Sequence, residues 1–329
     1  MSCTSTKALC VLAVFALSAC GDDVTADREL TPEELVARGE YLVTAVTACA
    51  DCHTPRDANG PVAELYMAGN PCWIDVVPGD DTQGCLRTPN LTNDPTGLAN
   101  RSDAEIREMF QNGVRPDGSI LSPEMPYWAF HNITDEDADA IVAFLRTVPG
   151  VENRPGDSQP PFDAPLPAAA LPVPLEEVPM PAADYPEYDA AMQGRYLAVN
   201  TGICLECHTP GTEPGTPHPR DYSRSFQGGR EFPAVVIGLP SPPFPEVVVT
   251  PNITPHMETG VGAHGVEGIV QVLQQGIDPD GEGTCPPMPV GPMGAFANLT
   301  DEDAEAIAHF LMSIAPVEAE NAPGDCQAP

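Results

Sequence analysis

The chain carries two copies of one ordered set of short segments, and this duplication limits the possible folds more than any other feature. The motif Cys-x-x-Cys-His-Thr-Pro occurs at residues 49–55 and again at 204–210. Three further pairs of similar segments follow in the same order, at 88–92 and 250–254, at 112–118 and 275–281, and at 134–138 and 300–304. Long units that share several segments in one order indicate a duplicated domain rather than a solenoid of short repeats.

We therefore predict two domains of one fold, at residues 33–150 and 188–317. Between them, residues 151–187 are rich in proline and alanine, which predicts an extended, semi-rigid linker with polyproline II character. Residues 318–329 are predicted to form a C-terminal tail.

Both copies are predicted to be all-α. Apolar residues recur at helical spacing over residues 33–47. Ser102 is the predicted N-cap of a helix over 103–112. Thr134 and Thr300 are also predicted N-caps, each followed three residues later by an aspartate in place of the usual glutamate of a capping box.

The N-terminus has the pattern of a bacterial export signal. Lys7 precedes an apolar run over residues 9–17 that is too short to span a bilayer. The run ends in Leu-Ser-Ala-Cys, which resembles a lipobox, so residues 1–19 are a predicted lipoprotein signal peptide and Cys20 a predicted lipidation site. An ordinary signal peptide cut near the same place is the alternative. Residues 20–32 are then a tether, and we expect the mature protein to be lipid-anchored on the periplasmic side of a bacterial membrane.

The charge of the chain excludes one class of partner. The sequence has 48 acidic residues against 14 lysines and arginines, a formal net charge of −34. Nucleic acids require a basic surface, so no nucleic-acid partner is expected. A redox partner with a basic docking face would be steered toward such a surface, although solubility explains the acidity equally well.

The duplicated motif predicts covalent attachment of a c-type haem. Two thiols three positions apart on one helical turn can each bond a vinyl group of the same porphyrin, and the adjacent histidine then faces the iron. A zinc site would need further paired cysteines or histidines in each copy, and a thioredoxin-type site would need a βαβ setting; neither pattern is present in the sequence. Two haems c are therefore predicted, held by Cys49, Cys52 and His53 and by Cys204, Cys207 and His208.

With these motifs the chain resembles the tandem di-haem class I cytochromes c of bacterial electron transport. In that family a methionine, usually followed by proline, supplies the sixth iron ligand. The resemblance assigns this role to Met125 and Met288, each followed by proline. Copy two has about three extra residues in this segment, which makes Met293 an alternative to Met288. His131 and His256 would provide bis-histidine ligation instead.

The resemblance also implies contacts to the haem propionates. The Thr-Pro-Asn segments would place Asn90 and Thr92, and likewise Asn252 and Thr254, beside the propionates; a plain turn is the alternative. Arg87 is a further candidate for pairing with a propionate.

Four cysteines remain once the signal, the lipid anchor and the haems are accounted for: Cys72, Cys85, Cys285 and Cys326. Three pairings of four cysteines are possible. An exported protein meets an oxidising compartment, and two of these residues fall in each copy. We therefore favour Cys72–Cys85 and Cys285–Cys326.

Histidine and methionine together fill both axial positions of an iron, which leaves no site for a substrate. The expected function is electron transfer between respiratory partners, either as a free carrier or as the cytochrome subunit of a dehydrogenase complex, and not enzymatic catalysis. A di-haem peroxidase is the main alternative; it would need one haem that opens to peroxide. A haem-based sensor or docking module is a third hypothesis.

Overall fold

The computed structural model describes residues 29–57, 60–80, 82–213, 219–234, 236, 245–292, 294–319 and 321. The predicted signal peptide and the residues Cys20, Met293 and Cys326 lie outside these ranges. We call residues 29–150 the first half and residues 188–321 the second half.

Helices account for most of the regular structure. In the first half they are α1 (Pro32–Tyr41), α2 (Cys49–His53), α3 (Asp103–Asn112), α4 (Tyr127–Phe130) and α5 (Asp135–Leu145). In the second half they are α6 (Tyr188–Tyr196), α7 (Cys204–His208), α8 (Gly265–Gln275) and α9 (Asp301–Ser313). No helix within the described ranges is long and apolar enough to cross a membrane.

The prediction of a purely α-helical chain was incomplete, because six short strands form three antiparallel pairs in the part of the chain that the structure describes. These are β1 (Arg56–Asp57) with β2 (Gly60–Pro61), β3 (Ile74–Asp75) with β4 (Cys85–Leu86), and β5 (Glu231–Pro233) with β6 (Val247–Val249). Strands of two or three residues are too short to show an alternating pattern in the sequence.

The first predicted helix is also divided in the structure. The α-helix ends at Tyr41 and continues as a π-helical turn over Leu42–Val46. The second half repeats this turn at Leu197–Thr201. The apolar spacing is similar in both geometries, so the sequence alone did not separate them.

Helix starts follow the capping pattern with one difference. Ser102 forms a reciprocal capping box with Glu105. Thr134 and Thr300 accept hydrogen bonds from the backbone of Asp137 and Asp303, at 3.2 and 3.1 Å. The two aspartate carboxylates do not complete the box, because they bind side chains from other helices.

Each half is built around one close helix crossing. α1 packs against α5, and α6 packs against α9. A Cβ atom on Gly39 would lie 1.9 Å from the carbonyl oxygen of Ala140, and one on Gly194 would lie 1.8 Å from that of Ala306. Only glycine permits these crossings, which explains why a glycine stands ten positions before each motif.

Two tyrosines join the halves in a reciprocal way. The hydroxyl of Tyr41 donates to Asp303 at 2.6 Å, and the hydroxyl of Tyr196 donates to Asp137 at 2.7 Å. Arg38 also binds Asp137, through two hydrogen bonds of 2.7 and 3.0 Å. Each half therefore supplies a tyrosine to the start of the last helix of the other.

The proline-rich segment between the halves is held along both of them. The backbone N–H of Val173 donates to the carbonyl of Trp128 at 3.1 Å, and Ala182 donates to Ser313 at 3.0 Å. The buried guanidinium of Arg195 donates to the carbonyls of three segment residues, Leu175, Val178 and Pro179.

Replacing Gly194 tests the helix crossing. Gly194→Ala should lower the free energy of unfolding by about 3 kcal/mol, since the added methyl group meets a backbone atom that cannot move independently. Thermal or denaturant unfolding measures the loss. Gln193→Ala, at the exposed neighbouring position of the same helix, is the matched control and should change stability little. Equal stabilities of the two variants would contradict the crossing.

Tyr41 gives the junction between the halves a pH dependence. Burial, followed by the hydrogen bond to Asp303, raises the pKa of Tyr41 from 10 to about 12. Its contribution to the free energy of unfolding is therefore complete below pH 10 and is lost as the pH rises toward 12. Tyr41→Phe should cost about 1–2 kcal/mol at pH 8 and less above pH 11. Unfolding curves at both pH values measure this, with Tyr188→Phe as control; a cost that does not depend on pH would refute the assignment.

Candidate functional site

The two motifs are folded into the same local structure. Each follows a π-helical turn and one residue in the left-handed region, Ala48 (φ 51°) or Ile203 (φ 49°). This sharp change of direction starts the short helix that carries the two cysteines and the histidine. The motif side chains are thereby presented to the interior of the protein, where both histidines are buried.

The four motif cysteines are free thiols. Burial raises the pKa of Cys204 to about 12, and it raises the pKa values of Cys49, Cys52 and Cys207 as well. They are therefore held as neutral thiols, which disfavours a nucleophilic or redox-active thiolate pair. Thiols in this state are what attachment to a vinyl group requires.

Each motif histidine is fixed by one backbone carbonyl. Nδ1 of His53 lies 2.8 Å from the carbonyl oxygen of Pro89, and Nδ1 of His208 lies 2.9 Å from that of Pro251. A carbonyl only accepts, so Nδ1 carries the proton and Nε2 keeps its lone pair. Burial lowers the pKa of His53 to about 4 and lowers that of His208 too. Both imidazoles are therefore neutral and ready to bind a metal.

The buried side of these histidines fits an iron porphyrin. Nε2 of His208 is buried and makes no hydrogen bond. An unpaired buried nitrogen is costly unless it serves a ligand. Nε of Arg87 is likewise buried without a partner, and Arg87 lines the same cavity. A neutral nitrogen ligand, paired thiols and an arginine whose buried Nε lacks a partner together fit a haem with its propionates.

The cavity itself is large and continuous between the halves. Its volume is about 2350 Å³, whereas an ordinary ligand pocket has about 300–1,000 Å³. Both motifs line it, together with apolar side chains that include Leu98, Phe110, Phe130, Phe232 and Phe296. This space suits more than one large apolar group.

The predicted methionine ligands both reach this cavity. Met125 and Met288 are among its lining residues, and each sits in a turn whose second following residue donates to its carbonyl, at 2.7 and 2.9 Å. The alternative Met293 lies outside the described residues. Of the alternative histidines, His131 is exposed and bonded to Asn112 at 2.7 Å, while His256 binds the hydroxyl of Thr259 at 3.0 Å.

The Thr-Pro-Asn segments have a structural role that the sequence did not reveal. Asn90 Oδ1 accepts from the hydroxyl of Thr92 at 2.7 Å, and Asn90 Nδ2 donates to the carbonyl of Val151 at 2.8 Å. Asn252 and Thr254 repeat the pattern with Val317. These bonds hold the loop whose proline carbonyl orients the histidine. The propionate contacts of the four residues stay a prediction.

Three of the four remaining cysteines lie in the described residues, and all three are disulfide-bonded. Cys72 and Cys85 form a disulfide with Cα atoms 5.0 Å apart, which closes the β3–β4 pair. Cys285 is also disulfide-bonded and lies three residues before Met288; its predicted partner Cys326 is outside the described residues.

The loop that orients His53 can be tested through Thr92. Thr92→Val keeps the shape of the side chain but leaves Asn90 Oδ1 and the N–H of Val151 with fewer partners in the interior. We expect a loss of about 1–3 kcal/mol in the free energy of unfolding. Denaturant unfolding measures it, and Thr254→Val should lose a similar amount in the second half. Two variants as stable as the unchanged protein would show that the bonds do not hold the loop.

Comparison with known proteins agrees with this site. Residues 36–149 match the family model for Cytochrome c. The chain is 27% identical over 307 residues to the fructose dehydrogenase cytochrome subunit of Gluconobacter japonicus, covering 87% of this chain and 54% of that protein. It is 28% identical over 287 residues to a diheme cytochrome c-type protein of Cereibacter sphaeroides, covering 86% of each.

A third relative is the gluconate 2-dehydrogenase cytochrome c subunit of Pantoea cypripedii, 26% identical over 318 residues, which cover 94% of this chain and 65% of the relative. The chain thus spans about half the length of the fructose dehydrogenase relative. Residues 36–149 are thus similar to a cytochrome c domain, which indicates a site for covalently bound haem c.

Proposed function

We propose that this protein is a di-haem c-type cytochrome that transfers electrons between redox partners, as the cytochrome subunit of a dehydrogenase complex or as a separate carrier. One observation carries the proposal. The same site, with paired thiols and a histidine held by a proline carbonyl, is built twice around one cavity. A relative named as a diheme cytochrome and others named as dehydrogenase cytochrome subunits support it.

The proposed roles combine the sequence motifs with the residues that line the cavity. Cys49 and Cys52 attach one haem and Cys204 and Cys207 attach the other, in two tandem class I domains. His53 and His208 provide the proximal ligands. Met125 and Met288 provide the distal ligands, with Met293 as the alternative in the second half. When bound, the haems supply one-electron chemistry; the chain orients the ligands and excludes water.

The two attachment sites are close enough to interact. Both motifs line the same cavity. Gly202, just before the second motif, lies against Val46 of the first half. Short separations between sites favour electron exchange within one chain, which is what a two-centre carrier needs.

Electron transfer is favoured over enzymatic catalysis. A methionine on the distal side in both halves would leave neither iron open to a substrate. A peroxidase requires such an opening, and several relatives of this chain are named as cytochrome subunits of dehydrogenases instead. A sensor or docking module has no supporting observation in the described residues.

The location and partners are part of the proposal. The signal pattern and Cys20 support export and a lipid anchor on the periplasmic side. The net charge of −34 supports docking of a partner with a basic face. The names of the relatives support a dehydrogenase as the electron donor.

Haem content and ligation test this function directly. A pyridine haemochrome assay of the mature protein should give two haems c per chain, and the ferric spectrum should show a methionine-to-iron band. Cys49→Ser with Cys52→Ser should halve the haem content, because one attachment site is lost, whereas Cys72→Ser with Cys85→Ser is the control that should keep both.

Carbon monoxide separates the alternatives. The reduced protein should not bind it, while Met125→Ala and Met288→Ala should each open one haem to it. If Met293→Ala opens the second haem and Met288→Ala does not, Met293 is the ligand. Carbon monoxide binding to the unchanged protein would instead favour the peroxidase or the sensor.

A further inference from the structure

The second motif carries a buried ion cluster. Glu206, between Cys204 and Cys207, forms ion pairs with both Arg220 and Arg230. The side chain of Arg220 is fully buried, and those of Glu206 and Arg230 are only 12% and 16% exposed. Arg230 Nη1 also donates to the backbone carbonyl of Glu206 at 3.0 Å. Two positive charges and one negative charge are thus held beside this motif.

The equivalent positions of the first half lack the two arginines. The backbone N–H of Asp221 donates to the carbonyl of Pro210, just as the N–H of Val62 donates to the carbonyl of Pro55. Asp221 and Val62 are therefore equivalent. The residues that precede them are equivalent too, so Pro61 stands in the place of Arg220. The backbone N–H of Thr250 donates to the carbonyl of Arg230, just as the N–H of Thr88 donates to the carbonyl of Asn70. Asn70 therefore stands in the place of Arg230.

Asp51 takes the place of Glu206 between the motif cysteines of the first half. It forms no ion pair among the described residues. Arg56 acts on it only as a more distant charge. The first motif therefore faces a negative carboxylate, and the second motif faces a cluster with one excess positive charge.

Stability alone gives a weak reason for burying these charges. Removing charged groups from water costs several kcal/mol per ion, which their attraction only partly offsets. Arginine keeps its charge in proteins, so the cluster is a permanent source of positive potential. In the interior the effective dielectric constant is low, and a unit charge acts strongly on neighbouring groups.

A permanent positive charge has a definite effect on a neighbouring haem. Oxidation adds one positive charge to the iron, so a nearby cation disfavours the ferric state and raises the reduction potential. An unpaired carboxylate has the opposite effect. Glu124 of the first half, which precedes Met125 in the sequence, is a negative charge that acts on Arg230 and offsets part of the positive potential of the cluster.

We propose that Arg220 and Arg230 raise the reduction potential of the haem at Cys204 and Cys207 above that of the haem at Cys49 and Cys52. In the protein that holds one electron, the second-half iron is then ferrous and the first-half iron ferric. No bond forms or breaks and no proton moves. This inference rests on the proposed function, because it needs a haem in each half.

The position of the cluster agrees with this role. The guanidinium carbon of Arg220 lies 5.7 Å from the ring centre of Trp128, three residues after Met125. Arg220 Nη1 lies 3.4 Å from the carbonyl oxygen of Thr209, next to His208. The arginines therefore lie on the side of the second motif that faces the first half, where an electron passing between the halves would experience their potential.

Redox titration of the full-length holoprotein, followed by its visible spectrum, tests the proposal. Arg230→Asn installs the residue of the first half and should lower the higher of two potentials. Glu206→Gln should raise it, and Asp51→Asn should raise the lower potential. For Arg230→Asn we expect the ferrous-to-ferric ratio of the affected haem to fall about tenfold at a fixed potential. For a one-electron couple this corresponds to a reduction potential lower by about 59 mV. Arg154→Asn, exposed and not among the residues that line the cavity, is the control and should shift neither potential.

The signs of the shifts separate an electrostatic role from a structural one. If the cluster were only structural, Arg230→Asn and Glu206→Gln would shift the reduction potential in the same direction, since both break the same contact. If its charge sets the potential, the two variants shift it in opposite directions. Shifts of equal sign, shifts confined to the lower potential, or none would overturn the proposal. If Glu206→Gln fails to fold, Arg230→Asn and Asp51→Asn still decide. A haem count of one would overturn the proposed function itself, while two haems with the wrong shifts would overturn only this inference.

Discussion

The hydrogen bond from each motif histidine to a proline carbonyl is the contact on which the rest of each half depends. It joins α2 or α7 to the Thr-Pro-Asn loop. That loop is bound to the chain just after the last helix of its half, through the carbonyl of Val151 or Val317. The last helix crosses the first, and the first leads through a π-helical turn back to the motif. Each half is thus a closed circuit of contacts around one histidine.

Much of this circuit could be predicted from the sequence. The helix over 103–112, the N-caps at Ser102, Thr134 and Thr300 and the pairing of Cys72 with Cys85 depend on local spacing, and the structure has them. What could not be predicted depends on long-range contacts. The proline carbonyls accept hydrogen bonds from histidines about forty residues away. Every residue has a backbone carbonyl, so the sequence does not show which one is the acceptor.

The same limit applies to the charged residues. Asp137 looked like a local capping residue, but its carboxylate serves Arg38 and, from the other half, Tyr196. Arg220 belongs to no motif of the sequence, yet its side chain is fully buried. Two halves that share a backbone plan therefore differ in the charges they bury, and this difference is visible only when the halves are compared position by position.

The continuous cavity has a consequence for what a duplication provides. Residues of both halves line this one space, such as Phe110 from the first half and Phe296 from the second, and both motifs face it. Each half therefore supplies part of the apolar wall around the motif of the other half, and this wall excludes water. Without one half, the motif of the other half would face more water and a higher dielectric constant. In this protein, duplication supplied both another centre and the apolar medium that both centres share.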